Sequence, residues 1–328
     1  MKAICIELVD GKPELFLREV PKPDIGSMDL LVRVRAAGLN FADLYRAASH
    51  YGSTGQQAAA AIAGLEMAGE IVAKGVDVSG FAIGDCVMAV AAATYAEYCC
   101  VDHRIVMSVP AGLSWTDAAA TPVAFMTAHD ALVTNAELAL GETVLVQAAS
   151  SSVGIAAVQI AKHLGAGRVI GTSGSPEKLT RLHAFGMDYG IDTKQRDFAN
   201  VVQELTDGRG ADVIIENIGG DTLPGDVCCA AVKCRIVNVG RLGKWIGEID
   251  LNEHSRKRIR LIGVTFRTRS VHEHAEVARS CAAALLPAIG DGKLRPVVDR
   301  VFALDQAAAA QDYMKSGRHF GKIVLSIS

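Results

Sequence analysis

Residues 144–162 read VLVQAASSSVGIAAVQIAK. A short apolar run, a set of small residues and a longer periodic segment read as a buried strand, a tight turn and a helix. Val153, Ala156, Ala157, Ile160, Ala161 and Leu164 recur at helical spacing and form one stripe for packing on a sheet. That register leaves Gln159, Lys162 and His163 for the outer side. A turn that receives a dinucleotide pyrophosphate needs backbone close to the ligand and free N–H groups at a helix start. Of the glycines usual there, only the last is present, as Gly154, and Ser150, Ser151 and Ser152 occupy the earlier small positions. Serine keeps its backbone donor and adds a hydroxyl, but its Cβ narrows the gap and is costly wherever φ is positive. Taken alone, the stretch serves equally as a packing turn between strand and helix.

The same rhythm continues toward the C-terminus. TVLVQ (143–147), RVIGT (168–172), DVIIE (212–216) and RIVNVG (235–240) are candidate strands, with a further one at RLIGV (260–264). Helical segments separate them, which is the βαβ pattern of a parallel sheet. The second helix is predicted to begin at Ser175-Pro176-Glu177, an N-cap followed by Pro at the first helical position, and to stop near Gly186. Before this region, alternation in LLVRVRAAG (30–38) and turn signals in GVDVSGFAIGD (75–85) point to an antiparallel β-rich unit. After residue 265 the rhythm weakens, and VVDRVFALDQ and GKIVLSIS are expected as strands returning to the first unit.

Length and composition bound the rest. A chain of 328 residues, 50% hydrophobic and 21% charged, suits a globular protein of two domains. A net charge of −3 gives no electrostatic case for nucleic acid or an anionic membrane. No apolar run is long enough to span a bilayer, and the opening residues lack the zones of a signal peptide, so a cytoplasmic location is expected. The eight cysteines include no C-x-x-C and read as buried, reduced thiols.

At the end of the second strand, where an NAD-preferring site places a carboxylate for the ribose diol, this chain has GTSGSPEK (171–178). Hydroxyls at Ser173 and Ser175 and the cation of Lys178 suit a 2′-phosphate and favour NADPH. The plainer reading of Lys178 is a solvated helix lysine.

AAGLNFADLYR (36–46), GLEMAGEIVAKGVDVSGFAIGDCV (64–87), YAEYCCV (95–101), AAATPVAFMTAHDAL (118–132), the 148–154 turn and the closing GKIVLSIS together resemble the medium-chain dehydrogenase/reductase superfamily. The likeness is to its zinc-free quinone oxidoreductase branch, and within that to the tumour-suppressor-inducible type, through LIGVTFRTRS (261–270) and Tyr51. It implies an α/β fold: a Rossmann doubly wound parallel sheet at 122–264, and a GroES-like β-rich catalytic domain from 1–121 and 265–328, with the active site in the cleft and a homodimeric assembly. Zinc alcohol dehydrogenases of the superfamily use Cys, His and Cys as catalytic ligands, and the matching positions are Asn40, Leu65 and Val123. Leucine and valine offer no lone pair, and only a short segment separates Asp85 from Tyr95 where structural zinc would be held, so no metal is expected.

The resemblance further implies roles for single residues. Asn40 and Asp43 border nicotinamide and substrate, with Asn40 orienting acceptor or water, while N-F-A-D is also a serviceable helix start. Tyr45 and Tyr51 line the acceptor pocket, where packing is the plainer reading. Cofactor contacts fall to Thr127, Ala149, Ser150, Ser151, Ser152, Val153, Gly154, Ser173, Gly174, Ser175, Lys178, Asn217, Gly240, Arg241, Phe266, Arg267 and Lys322. His129 stands where relatives carry an aromatic residue, and Thr193 where several carry a tyrosine. The leading expectation is an NADPH-dependent quinone oxidoreductase acting on a small-molecule quinone or enone. The alternatives are an enoyl or 2-haloacrylate type double-bond reductase and a non-catalytic NADPH-binding module.

Overall fold

The computed structural model describes residues 1–47 and 61–328, without the side chains of 45–47. Thr143–Val146 is buried along its whole length and lies inside a six-stranded sheet. Across the sheet the strands run Tyr189–Asp192, Arg168–Ser173, Thr143–Val146, Ala211–Glu216, Ala230–Asn238 and Arg260–Gly263, all parallel. The chain begins in the middle, fills one edge and then crosses to fill the other. The order therefore reverses beside Thr143–Val146, the switch point at which open α/β sheets receive ligands. Tyr189–Asp192 is a strand beyond those expected. Its first two residues are exposed, so no apolar run marks it, and it forms by pairing its backbone with Ile170–Ser173.

Helix Ser152–His163 returns along this sheet with Gly154–Ala161 buried throughout. Gln159 is among the buried residues, against the expected outward position. The helix packs on Thr143–Val146 and Arg168–Ser173 and is flanked by the helical segments Asp130–Asn135 and His183–Phe185. A face that a single stripe would leave to solvent is thus covered, and Gln159 turns its Nε2 to the Ile155 carbonyl at 3.4 Å. Helix Pro176–Leu182 starts at the Ser175 cap, and a final turn at His183–Phe185 ends on Gly186 at φ 96°. These elements belong to one of two compact units, Thr127–Phe266.

The other unit joins Met1–Met126 to Arg267–Ser328. Asp29–Gly38 is its spine, pairing antiparallel with Glu66–Lys74, Tyr98–Asp102 and the C-terminal Lys322–Ser326. Val298–Ala303 pairs in parallel with Lys322–Ser326, so both late strands return to this unit as expected. Val32, Val34, Ile71, Val87, Tyr95 and Leu325 are part of its core. Burial of an aliphatic side chain of this kind contributes about 1.5–3 kcal/mol. Where the rhythm weakens after residue 265, the chain forms a 20-residue helix, Val271–Gly290, started by a capping box between Ser270 and Glu273.

All eight cysteines are free; Cys5, Cys99, Cys229, Cys234 and Cys281 are buried, but Cys86 and Cys228 are exposed, against the expectation of buried thiols. Among the described residues no helix is long and apolar enough to cross a membrane.

Candidate functional site

The turn between Thr143–Val146 and Ser152–His163 keeps the backbone of a nucleotide turn without its early glycines. Ala148 takes the left-handed conformation, at φ 48°. Ser151 is extended at φ −72°, so the cost of a serine at positive φ does not arise there. Its hydroxyl instead accepts the Gly154 N–H at 3.0 Å and caps the helix. Gly154 is required by space: a Cβ there would stand 2.5 Å from the Ala148 carbonyl oxygen and 2.7 Å from Ala149 Cα. Ala149 is buried and ties the turn to the next strand through the Thr172 carbonyl, at 2.9 Å. Ser152 and Val153, half-buried, open the helix, whose N–H groups and dipole favour an anion.

Five further hydroxyl and cationic groups gather at the same end of the sheet. Ser150 Oγ and Ser173 Oγ lie 3.4 Å apart. Ser175 caps its helix by accepting the Lys178 N–H at 3.4 Å, and Lys178 is half-buried. A Cβ on Gly174 would come within 3.1 Å of Lys194 Cε, so a second lysine stem lies over this turn. Sequence reasoning missed Lys194, which carries no motif.

Other expected cofactor residues are committed to protein partners. Asn217 is buried and donates to the Gln147 carbonyl at 2.9 Å. Gly240 donates its N–H to the Glu216 carbonyl at 3.1 Å, and Arg241 reaches Asn238 Oδ1 at 2.9 Å. Phe266 is half-buried and Arg267 exposed. Thr127 is half-buried on helix Pro122–His129. His129, at its end, is buried, with Nδ1 lacking a hydrogen-bond partner among the described residues. Burial lowers its pKa and keeps the imidazole neutral, with Asp130 opposing the shift.

In the β-rich unit, a buried polar cluster forms where the first and last strands of the spine meet. Leu39 N–H pairs with the Ile323 carbonyl at 2.9 Å, which sets Asn40 beside Lys322. Lys322 Nζ donates to Asn40 Oδ1 at 2.7 Å and forms an ion pair with Glu66. Asn40 Nδ2 donates to Glu66 Oε1 at 2.9 Å, and the Val123 N–H donates to Glu66 Oε2 at 2.9 Å. Both ends of the Asn40 amide, expected to orient acceptor or water, are thus engaged within the protein. Lys322, expected at the cofactor, is 1% exposed and held by Glu66 and Asn40. Sequence reasoning also missed Glu66, which opens the strand Glu66–Lys74 and is fully buried while Glu70 in the same strand is not.

Asp43 accepts the Asn40 N–H at 2.8 Å and the Tyr95 hydroxyl at 2.8 Å, both on Oδ2. Its Oδ1 has no hydrogen-bond partner among the described residues. Desolvation pushes the Asp43 pKa up to about 7, against the two hydrogen bonds that favour its anion. The carboxyl can therefore hold or release a proton near neutral pH. Tyr45 lies on helix Phe41–Ala47, but its side chain, like Tyr51, lies outside the described residues.

Residues 26–120 match the family profile described as alcohol dehydrogenase GroES-like domain, and residues 152–283 match zinc-binding dehydrogenase. The chain is 31% identical to quinone oxidoreductase-like protein 2 homolog of Nematostella vectensis, over 98% of this chain and 88% of that protein. It is 34% identical to a phenolphthiocerol/phthiocerol polyketide synthase protein of Mycobacterium tuberculosis over 90% of this chain, spanning 13% of that relative's length. Among solved structures, a mycobacterial protein complexed with NADPH matches at a TM-score of 0.88 and 26% identity, covering all of both chains. The CurK enoyl reductase matches at 0.83 and 27%, covering 99% of each. With its parallel nucleotide-binding sheet and separate β-rich unit, the chain is an oxidoreductase-family protein that belongs to the quinone oxidoreductase branch of the medium-chain dehydrogenase/reductase superfamily.

Proposed function

We propose that this protein is an NADPH-dependent, zinc-independent reductase of quinone-type acceptors. The observation that carries the reading is the 148–154 turn. Ala148 takes the left-handed position, Gly154 packs without room for a Cβ, and the Ser151 cap presents a 12-residue helix start. The turn would hold the pyrophosphate, and Ser150, Ser173, Lys178 and Lys194 would serve the 2′-phosphate. NADPH, when bound, supplies the hydride.

For the acceptor, the β-rich unit offers Asp43, whose carboxyl exchanges a proton near neutrality and is hydrogen-bonded by Tyr95. Leu65 and Val123 stand at two of the three matched ligand positions and cannot coordinate zinc, while the Lys322 ammonium against Glu66 and Asn40 opposes a second cation. Without a Lewis acid, acceptors that delocalise the incoming charge are favoured. Quinones do so by becoming aromatic. Enones and enoyl thioesters do so as enolates, and the likeness to the CurK enoyl reductase supports that second reading. A homodimer is proposed on the resemblance and on the sheet edge at Arg260–Gly263, where Leu261 is 47% exposed.

The test is an NADPH-oxidation assay over quinones and enoyl thioesters in the presence of a strong chelator. Turnover of quinones with full activity is expected. Turnover restricted to enoyl thioesters selects the second reading, and no turnover with either leaves a binding module. NADPH should bind more tightly than NADH, and Lys178→Ala should remove most of the preference, since a charge-assisted contact contributes about 1.5–3 kcal/mol. Equal affinities in the unsubstituted protein would remove the 2′-phosphate assignment.

A further inference from the structure

Asp226 lies on helix Leu223–Cys229 and is fully buried. Its Oδ1 accepts from Gln147 Nε2 at 2.7 Å. Its Oδ2 has no hydrogen-bond donor among the described residues, and the carboxyl faces Glu216. Glu216 is already well supplied with donors. The N–H groups of Ile218 and Gly219 reach its Oε1, and the Thr222 hydroxyl reaches its Oε2 at 2.5 Å.

Burial, and after it the neighbouring Glu216, pushes the pKa of the Asp226 carboxyl well above the ordinary carboxylate range. The other titratable groups around Asp226 are Cys229 on its own helix, Cys234 on the following strand, and Lys257. Burial pushes both thiols up and keeps them neutral. The Lys257 ammonium is turned to the carbonyls of Val227 and Cys228, at 3.0 and 2.6 Å.

With Asp226 Oδ1 as the acceptor, Gln147 presents Nε2 to Asp226 and Oε1 to Thr172. The single hydroxyl proton of Thr172 goes to Gln147 Oε1 at 2.6 Å. Its oxygen then accepts the N–H of Ala148 at 3.1 Å. Ala148 is the left-handed residue that opens the phosphate turn. We infer that Asp226 is a positioning residue for cofactor binding, holding Ala148 in place through Gln147 and Thr172. The inference rests on the NADPH reading above. It assigns a purpose to a fully buried carboxyl.

Titration calorimetry with NADPH on the full chain tests it, with far-UV circular dichroism to check folding. Asp226→Asn keeps an oxygen that can accept from Gln147 Nε2, so its Kd should stay within about twofold. Asp226→Leu orphans Gln147 and should weaken NADPH about tenfold, as should Thr172→Val. The Asp226→Leu, Thr172→Val double variant should bind no worse than the weaker single one, because both cut the same chain of bonds. A purely structural role would instead move stability without this coupling in affinity. Folded Asp226→Leu with unaltered affinity overturns the inference, as does Asp226→Asn as weak as Asp226→Leu, or multiplying effects in the double variant. If Asp226→Leu does not fold, Thr172→Val at full affinity overturns it. Failure of the unsubstituted protein to bind NADPH overturns the cofactor reading and this inference with it, whereas tight binding insensitive to these changes overturns the inference alone.

Discussion

Glu66 and Glu216 are both buried carboxylates, at 0% and 1% exposure, and each anchors a polar cluster in a different unit. In the β-rich unit the charge of Glu66 is met by the ammonium of Lys322. In the nucleotide-binding unit Glu216 is met instead by three hydrogen-bond donors, the N–H groups of Ile218 and Gly219 and the Thr222 hydroxyl. The difference lies in what each arrangement tolerates. An ion pair with its cation removed leaves a bare charge in the interior, whereas a carboxyl held by several donors loses one bond at a time.

The sharpest way to break this contrast is Lys322→Met. It should cost about 3–5 kcal/mol in denaturant unfolding, and adding Glu66→Gln should restore most of the loss. A loss below ~1 kcal/mol would mean that the pair does not hold the cluster, as is common for solvated ion pairs.

Asp43 sharpens the comparison through pH. Its pKa rises on folding from an ordinary 3.8 to about 7, chiefly by desolvation. Between those values the unfolded chain has released a proton that the folded chain keeps. The contribution to stability is therefore fully present below about pH 4 and is lost as the pH rises to about 7, a change on the order of 4 kcal/mol. Urea midpoints collected from pH 4 to 8 should show this decline, and Asp43→Asn should flatten it. An unchanged slope in the variant would place the titration elsewhere.

Thr222→Val removes one of the three donors to Glu216 and should cost only about 1–2 kcal/mol, because two N–H donors remain. A loss as large as that of Lys322→Met would erase the contrast between the clusters. The smallest effect is expected for Ser151→Gly. Glycine is a tolerable N-cap, so the melting temperature should fall by the equivalent of a few tenths of a kcal/mol, with NADPH affinity within about twofold. A large loss of affinity at unchanged stability would show the hydroxyl to be a phosphate ligand rather than a cap.

Much of the nucleotide-binding unit was legible because its signals are local. Ser175-Pro176 starts a helix, Gly186 ends it, and short apolar runs between helices make a parallel sheet. Tyr189–Asp192 was not legible, since an edge strand with exposed residues has no apolar signature. Helix Val271–Gly290 was within reach, for Ser270 and Glu273 spell a capping box before Ala275, Ala278 and Cys281. The outward position given to Gln159 failed because a one-sided stripe assumes one covered face, and neighbouring segments cover the other.

The candidate site divides along the same line. The turn from Ala148 to Gly154 and the hydroxyls near Ser173 follow from spacing alone, because strand, turn and helix are adjacent in the chain. The residue that carries positive φ is Ala148 rather than a serine, which only the folded backbone decides. Lys322 and Asn40 are 282 residues apart and meet because Lys322–Ser326 pairs with Asp29–Gly38. Asp226 meets Gln147 because its helix packs against two strands of the sheet. Sequence periodicity reports which side chains leave water and where the backbone turns. The partner that neutralises a buried charge is chosen by contacts between distant segments, and the energy of that choice exists only once the fold has removed the solvent between them.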